Sequence, residues 1–180
     1  MTSDTIALAL AATACVVAVG TDLRSRRVPN ALTLPLLAAA PAIAAFNGLH
    51  AALVATAIVI ASLLAGSLIH SAGILGGGDV KLLAGVGALA GFPACIDVAL
   101  YSAIFGGLLA LAVSTSRGEL SAVLARVRAG VTTSVAGRNL ALGVAAIDTH
   151  GVRIPYALAI GAGFAVAVLA HSALPFLRII

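Results

Sequence analysis

The sequence predicts an all-α fold, a polytopic membrane bundle of about six transmembrane helices in one domain over residues 1–180. Of the 180 residues, 62% are hydrophobic and only 9% are charged, whereas a soluble domain carries about 25% charged residues. Mean hydropathy is +1.18. A spanning helix needs roughly 20 mostly apolar residues, so the chain has room for about six spans and for little else.

Six apolar segments follow one another, separated by short polar or glycine-containing breaks. We expect the first to be a retained span rather than a secretory signal peptide, because its positive charges follow it instead of preceding it. The fourth is short for a full span, which is typical of a re-entrant segment or one shielded by its neighbours. The predicted spans are Thr5–Gly20, Ala31–Phe46, Ala51–His70, Leu82–Phe92, Ile96–Val113 and Ile154–Leu174.

The distribution of basic residues predicts the orientation in a plasma (inner) membrane. With both termini outside, nine of the ten basic residues lie on the cytoplasmic side, and Arg178 is the exception. This is the bias that the positive-inside rule describes. Within the long cytoplasmic stretch 114–153, apolar residues at helical spacing indicate either an amphipathic helix on the inner leaflet or a plain connecting helix packed on the bundle.

The net charge of +4 does not indicate nucleic-acid binding, because the arginines cluster beside apolar segments, where membrane lipids are the expected partners. Cys15 and Cys95 stand alone inside apolar runs. They form no CxxC pair, so the sequence predicts neither a zinc site nor a disulfide framework. No metal or other cofactor is expected.

Two acidic residues, Asp22 and Asp79, fall at the cytoplasmic ends of predicted spans, at one membrane depth. Carboxylates that face each other tend to share a proton and to titrate as a pair. One can then activate water while the other polarises or protonates a carbonyl, as in aspartic proteases. Signatures of other nucleophiles, such as HExxH and GxSxG, are absent from the sequence.

The residues around Asp79, in "GGGDVK", suggest a place for a substrate chain. We expect Gly76, Gly77 and Gly78 to end a helix, to adopt positive φ and to let another backbone approach closely; the alternative is a plain helix-terminating turn. Lys81 is predicted to hold a substrate group or to favour an ionised carboxylate, or else to extend to the membrane surface.

Two further polar residues are not expected to belong to the acidic pair. Asp97 lies near the outer end of the fifth predicted span, a membrane thickness from Asp79, and is predicted to cap that helix. His70 lies at the inner end of the third predicted span, where packing or an interfacial position is the favoured role.

Three stretches in order carry a family resemblance: "DLRSRRVPN" from Asp22, "GGGDVKLL" with its GxGD pattern, and "RIPYALAIGAG" from Arg153 to Gly163. Together they resemble the motifs of the type IV prepilin peptidases. The resemblance implies a membrane aspartic endopeptidase that removes the leader of pilin-like precursors at the cytoplasmic face, with Asp22 and Asp79 as the catalytic pair.

The chain departs from the longer members of that family, which carry a cytoplasmic insertion with CxxC pairs. Their methyl-transfer activity is therefore not expected here. The size resembles that of the short peptidases of tight-adherence (Flp) pilus systems or the archaeal preflagellin peptidases. Kinship with presenilins is more remote, since Thr21 rather than tyrosine precedes Asp22.

Two alternative functions stay open, a small transporter that uses its acids for proton or ion binding and a non-catalytic pilus-assembly subunit. The sequence predicts no oligomeric state.

Overall fold

The structure is a computed structural model that describes residues 2–71, 73, 75–118, 120, 121, 125, 128, 129, 132 and 155–173. Within these residues the chain is helical and contains no strand, which confirms the predicted all-α fold class. The helices are α1 (Ser3–Ser25), α2 (Asn30–Ala44), α3 (Leu49–Ser71), α4 (Gly77–Ala90), α5 (Ala94–Ser116) and α6 (Tyr156–Ala173), with a 3₁₀ turn at Ala45–Asn47.

The helix that carries the fifth predicted span is three residues longer at its end than that span, because α5 continues to Ser116. Ser114, Thr115 and Ser116 are accommodated in the last turn of this helix, because their hydroxyls donate hydrogen bonds to carbonyl oxygens of the preceding turn. Most of the rest of the predicted cytoplasmic stretch 114–153 lies outside the described residues. Of the predicted amphipathic helix the structure describes a few positions, all of them helical: 120, 121, 125, 128, 129 and 132.

Four helical segments are long and apolar enough to cross a membrane: Ser3–Ser25, Asn30–Asn47, Leu49–Ser71 and Ala94–Ser116. In α6 the apolar stretch Tyr156–His171 is shorter. The shortest helix is α4, whose 14 residues extend about 21 Å at 1.5 Å per residue, less than the roughly 30 Å hydrocarbon core.

The short helix α4 is surrounded by the rest of the bundle. It contacts α1, α2, α3, α5 and α6, and its side chains Leu82 and Val86 are fully buried. By contrast, α3 exposes most of its length, as a lipid-facing helix does. The fourth apolar segment, α4, is therefore short and shielded by its neighbours, as the sequence predicted.

Successive helices reverse direction, so that the bundle has two distinct ends. At one end, Asn47 donates a hydrogen bond of 2.9 Å to Oδ1 of Asp4, and Nδ1 of His171 lies 3.6 Å from Oδ2 of Asp97. The opposite end holds the C-terminus of α1 and the starts of α2, α4 and α6. We call it the acidic end, because Asp22 and Asp79 both lie there.

Candidate active site

Asp22 lies one turn before the end of α1 and is only 5% exposed. The helix closes behind it at Arg26, which adopts the left-handed conformation with φ of 52° and donates its N–H to the carbonyl oxygen of Asp22 at 2.7 Å. The side chain points into the bundle. Its Oδ2 accepts a hydrogen bond of 3.2 Å from the backbone N–H of Ala157, in the first turn of α6.

Asp79 occupies the third position of α4, in the polar first turn that precedes the apolar part of that helix. Its carboxyl group accepts a hydrogen bond from the backbone N–H of Gly76, the N-cap residue. This is the reciprocal contact by which an acid at the third helical position satisfies a free N–H at a helix start. The sequence "GGGD" therefore begins a helix at Gly77, earlier than the predicted start at Leu82.

The charge of Asp22 acts on the carboxyl group of Asp79. Burial removes water from Asp79, and the nearby charge of Asp22 adds to that effect; together they raise the pKa of Asp79 to about 6, against the lowering effect of the hydrogen bond from Gly76. Its Oδ1 is buried and has no hydrogen-bond partner among the residues described. The structure thus brings together the two acids that the sequence singled out.

The predicted backbone conformation of the glycines is wrong. Gly76 has a φ of −69°, and Gly77 and Gly78 belong to the first turn of α4. The turn that separates α3 from α4 instead places Gly73 at a φ of 75°. The prediction failed because the Asp79 side chain caps the glycines into the helix, which removes the need for positive φ at these positions.

The glycines were also predicted to let the backbone of a substrate approach closely. In the structure, a backbone segment of the protein itself lies against one of them, Gly78. A Cβ added at Gly78 would lie 2.7 Å from the carbonyl oxygen of Val28, in the connection between α1 and α2. At Gly77 the nearest atoms would belong to the His70 ring, 3.5 Å away. Gly78 therefore lets the loop that follows Asp22 rest directly on the start of α4.

Lys81 and His70 hold the surroundings of the pair in place. Nζ of Lys81 donates a hydrogen bond of 2.8 Å to Oδ1 of Asn30, which ties α4 to the start of α2. Nδ1 of His70 lies 2.8 Å from the carbonyl oxygen of Leu75 and so fixes the turn before α4. Both side chains serve the geometry of the acidic end, and a substrate contact of Lys81 stays a prediction.

The structure adds residues that the sequence analysis did not assign to the site. Tyr156 begins α6, interacts electrostatically with Asp79 and packs its ring against Gly106. Its hydroxyl donates to the carbonyl oxygen of Ser102 at 3.4 Å. The only signal for this turn was the third motif, "RIPYAL", because a backbone N–H such as that of Ala157 leaves no trace in residue chemistry.

Asp97 lies at the other end of the bundle, in the first turn of α5 beside His171, apart from the acidic pair. Within the described ranges no three His, Cys, Asp or Glu side chains come together as they would around a metal ion. The acidic end offers two carboxyl groups: the buried one of Asp22, held by a hydrogen bond from another helix, and the half-buried one of Asp79, with a raised pKa.

Comparison with known proteins assigns the chain to a family. A sequence profile of the type IV leader peptidase family matches residues 9–111, a range that includes both acids, most of α1 and all of α4. No curated protein and no solved structure matches the chain. Since the profile covers more than half of the sequence, the chain is a membrane protein that belongs to the type IV leader peptidase family.

Proposed function

We propose that the protein is a prepilin leader peptidase that cuts pilin-like precursors between their basic leader and their apolar helix. The observation that carries this proposal is the juxtaposition of Asp22 and Asp79, each contributed by a different helix, at the end of an apolar bundle. A precursor whose helix lies in the bilayer beside the bundle presents its scissile bond at this depth.

Two carboxyl groups suffice for the hydrolysis. The ionised one takes a proton from water, whose oxygen attacks the scissile carbonyl carbon, while the protonated one gives its proton to the carbonyl oxygen. Proton return to the leaving nitrogen then breaks the C–N bond. Gly76, beside Asp79, is the proposed position where the extended substrate backbone passes, since it is exposed and carries no side chain.

The acidic end faces the cytoplasm in this proposal. Arg24, Arg26 and Arg27 lie there, all exposed, and the opposite end of the described bundle contains no Arg or Lys. Lysine and arginine are enriched on the cytoplasmic side of membrane proteins. These arginines would repel a basic leader, so their proposed partners are lipid headgroups.

The orientation can be measured by cysteine labelling in intact cells. In a Cys15→Ala, Cys95→Ala background, Ser25→Cys marks the acidic end and His50→Cys, at an exposed position near the start of α3, marks the opposite end. A membrane-impermeant maleimide is expected to label only His50→Cys until the cells are opened. Labelling of Ser25→Cys in sealed cells would place the acidic end outside and contradict the proposal.

The activity itself is tested by coexpression with a tagged pilin-like precursor from the same genome. We expect the wild-type protein to shorten the precursor, and Asp22→Asn and Asp79→Asn each to abolish the shift at unchanged membrane levels. Asp97→Asn is the matched control, a half-exposed acid at the opposite end of the bundle, and should cleave normally. Cleavage by either single site variant would refute the two-aspartate mechanism. Failure of the wild type on several precursors would favour a transporter or an assembly subunit.

A further inference from the structure

We propose that the first turn of α6 is part of the catalytic apparatus, and that the Ala157 N–H makes Asp22 the water-activating carboxylate and leaves Asp79 as the proton donor. This inference rests on the proposed peptidase function and goes beyond it, because it gives the two acids different roles. It also assigns a role to the third motif, "RIPYALAIGAG", which contains Ala157 and has no role in a mechanism that involves the two aspartates alone.

The surroundings of Asp22 favour a negative charge. Its Oδ2 accepts the Ala157 N–H at 3.2 Å, and this donor belongs to the first turn of an 18-residue helix. N–H groups at a helix start have no partner within the helix, and the helix dipole there favours an anion. A hydrogen bond to a carboxylate stabilises its charged form. The Ala157 N–H at the start of α6 therefore stabilises a negative charge on Asp22 in an otherwise apolar core.

The surroundings of Asp79 favour the neutral form instead. Its Oδ1 is buried with no partner in the described part of the chain, and a protonated carboxyl group tolerates such a position better than a carboxylate does. The negative charge of Asp22 pushes in the same direction. When the environments of two neighbouring acids differ in this way, their roles as base and acid can be assigned from the environments.

Other ionisable groups near the pair do not reverse this asymmetry. From α6, Tyr156 faces Asp79. From α4, Lys81 is engaged by Asn30, and from α3 the His70 ring is engaged by the carbonyl oxygen of Leu75. No ionisable side chain of α2 is present to face Asp22, since α2 contains none. At the end of α1 and just after it, the neighbouring cations are exposed: Arg24, Arg26 and Arg27.

The proton balance then follows. Asp22 takes a proton from water as the water oxygen bonds to the scissile carbon, and Asp79 gives its proton to the carbonyl oxygen. In the collapse, Asp22 passes its proton to the leaving nitrogen while the C–N bond breaks. Asp79 recovers a proton from the hydroxyl that becomes the new carboxyl carbonyl, and the pair returns to its starting state. The Ala157 N–H touches only Asp22 and acts as a positioning group.

The test removes this single N–H. Cell-free translation into lipid nanodiscs can place lactic acid at position 157, so that an ester replaces the amide and the side chain is unchanged. The matched control carries lactic acid at Ala167, a buried alanine of the same helix far from the site. Ala157→Pro, which also lacks the N–H and lies in a first helical turn where proline is tolerated, serves if the ester variant does not assemble.

The readout is the pH dependence of kcat/KM for precursor cleavage. We expect the ester at 157 to move the acidic limb about one unit to higher pH, since a charge-assisted hydrogen bond is lost, while the basic limb stays in place. The Ala167 ester should move neither limb. An unshifted acidic limb in an assembled, active 157 variant would overturn the inference, and so would a shifted basic limb. A wild type that cleaves no precursor would instead sink the proposed function itself.

Discussion

The backbone N–H of Ala157 donates a hydrogen bond of 3.2 Å to Oδ2 of Asp22 across 135 residues of sequence. This contact joins the first and the last motif of the chain, and the GxGD segment lies beside them at the start of α4. The three motifs therefore converge on one end of the bundle from α1, α4 and α6. A carboxylate buried at 5% exposure needs such a partner, because an unpaired charge in an apolar interior is costly.

The pH dependence of cleavage should reveal the proton on Asp79. Because the proposed mechanism needs this group protonated and burial with the Asp22 charge raises its pKa to about 6, kcat/KM is expected to fall above about pH 6, approaching tenfold per unit. The profile should be measured from pH 5 to pH 9 on the reconstituted protein. A kcat/KM that stays flat up to pH 8 would contradict the role of Asp79 as proton donor.

The same raised pKa predicts a change of stability in Asp79→Asn. The folded state binds the Asp79 proton more tightly than the unfolded state, so wild-type stability is lost as pH rises from about 4 to about 6 and stays lost above that range. Asparagine is neutral at every pH. In thermal-shift assays in nanodiscs, the melting temperature of Asp79→Asn should therefore lie a few degrees above that of wild type at pH 8. This difference in melting temperature should shrink as the pH is lowered towards 5.

Asp4→Asn is the control for this measurement, because Asp4 is exposed at the other end of the bundle. It should show no pH-dependent gain. An Asp79→Asn variant that is less stable than wild type at pH 8 would mean that the charged form of Asp79 is favoured in the fold.

The adjacent glycines of α4 offer a matched pair of substitutions. In Gly78→Ala the new methyl group would lie 2.7 Å from the carbonyl oxygen of Val28, which is backbone and cannot yield cheaply, whereas in Gly77→Ala it would lie 3.5 Å from the His70 ring. We expect Gly78→Ala to lose at least tenfold in kcat/KM, because α4 and Asp79 must shift. Gly77→Ala should stay active and gain slightly in stability from its helix propensity.

Both variants should be compared at equal membrane levels, with thermal stability recorded beside the cleavage rate. Equal activity of the two would show that the contact with Val28 does not set the position of Asp79. A loss confined to Gly77→Ala would mean that the substrate backbone passes over that glycine as well as over Gly76.

Much of the fold could be predicted from sequence because the signals are strong and local. Apolar runs bounded by arginine, proline or glycine place the helices within a few residues of their observed ends. The two acids stood out because a carboxylate is rare and costly in such a composition. Their placement at one end of the bundle followed from charge bias and helix alternation alone.

The remainder depends on contacts that residue identity does not encode. The start of α4 was misplaced because the capping contact between Asp79 and Gly76 competes with the turn tendency of three glycines. The role of Ala157 could not be found, because its backbone N–H is common to nearly every residue, and its alignment with Asp22 exists only after α1 and α6 pack.

The packing of α5 against α6 offers a test of how the first turn of α6 is positioned. The Tyr156 ring rests on Gly106, where an added methyl group would overlap the ring, while Gly107 has open space around it. In Gly106→Ala the ring must move, and Ala157 is the next residue along the chain. We expect Gly106→Ala to lose at least tenfold in kcat/KM and to shift the acidic limb of the pH profile upward, whereas Gly107→Ala should match wild type in both. Cleavage assays across pH on the two reconstituted variants decide this, and an unshifted profile in Gly106→Ala would show that Asp22 is held independently of Tyr156.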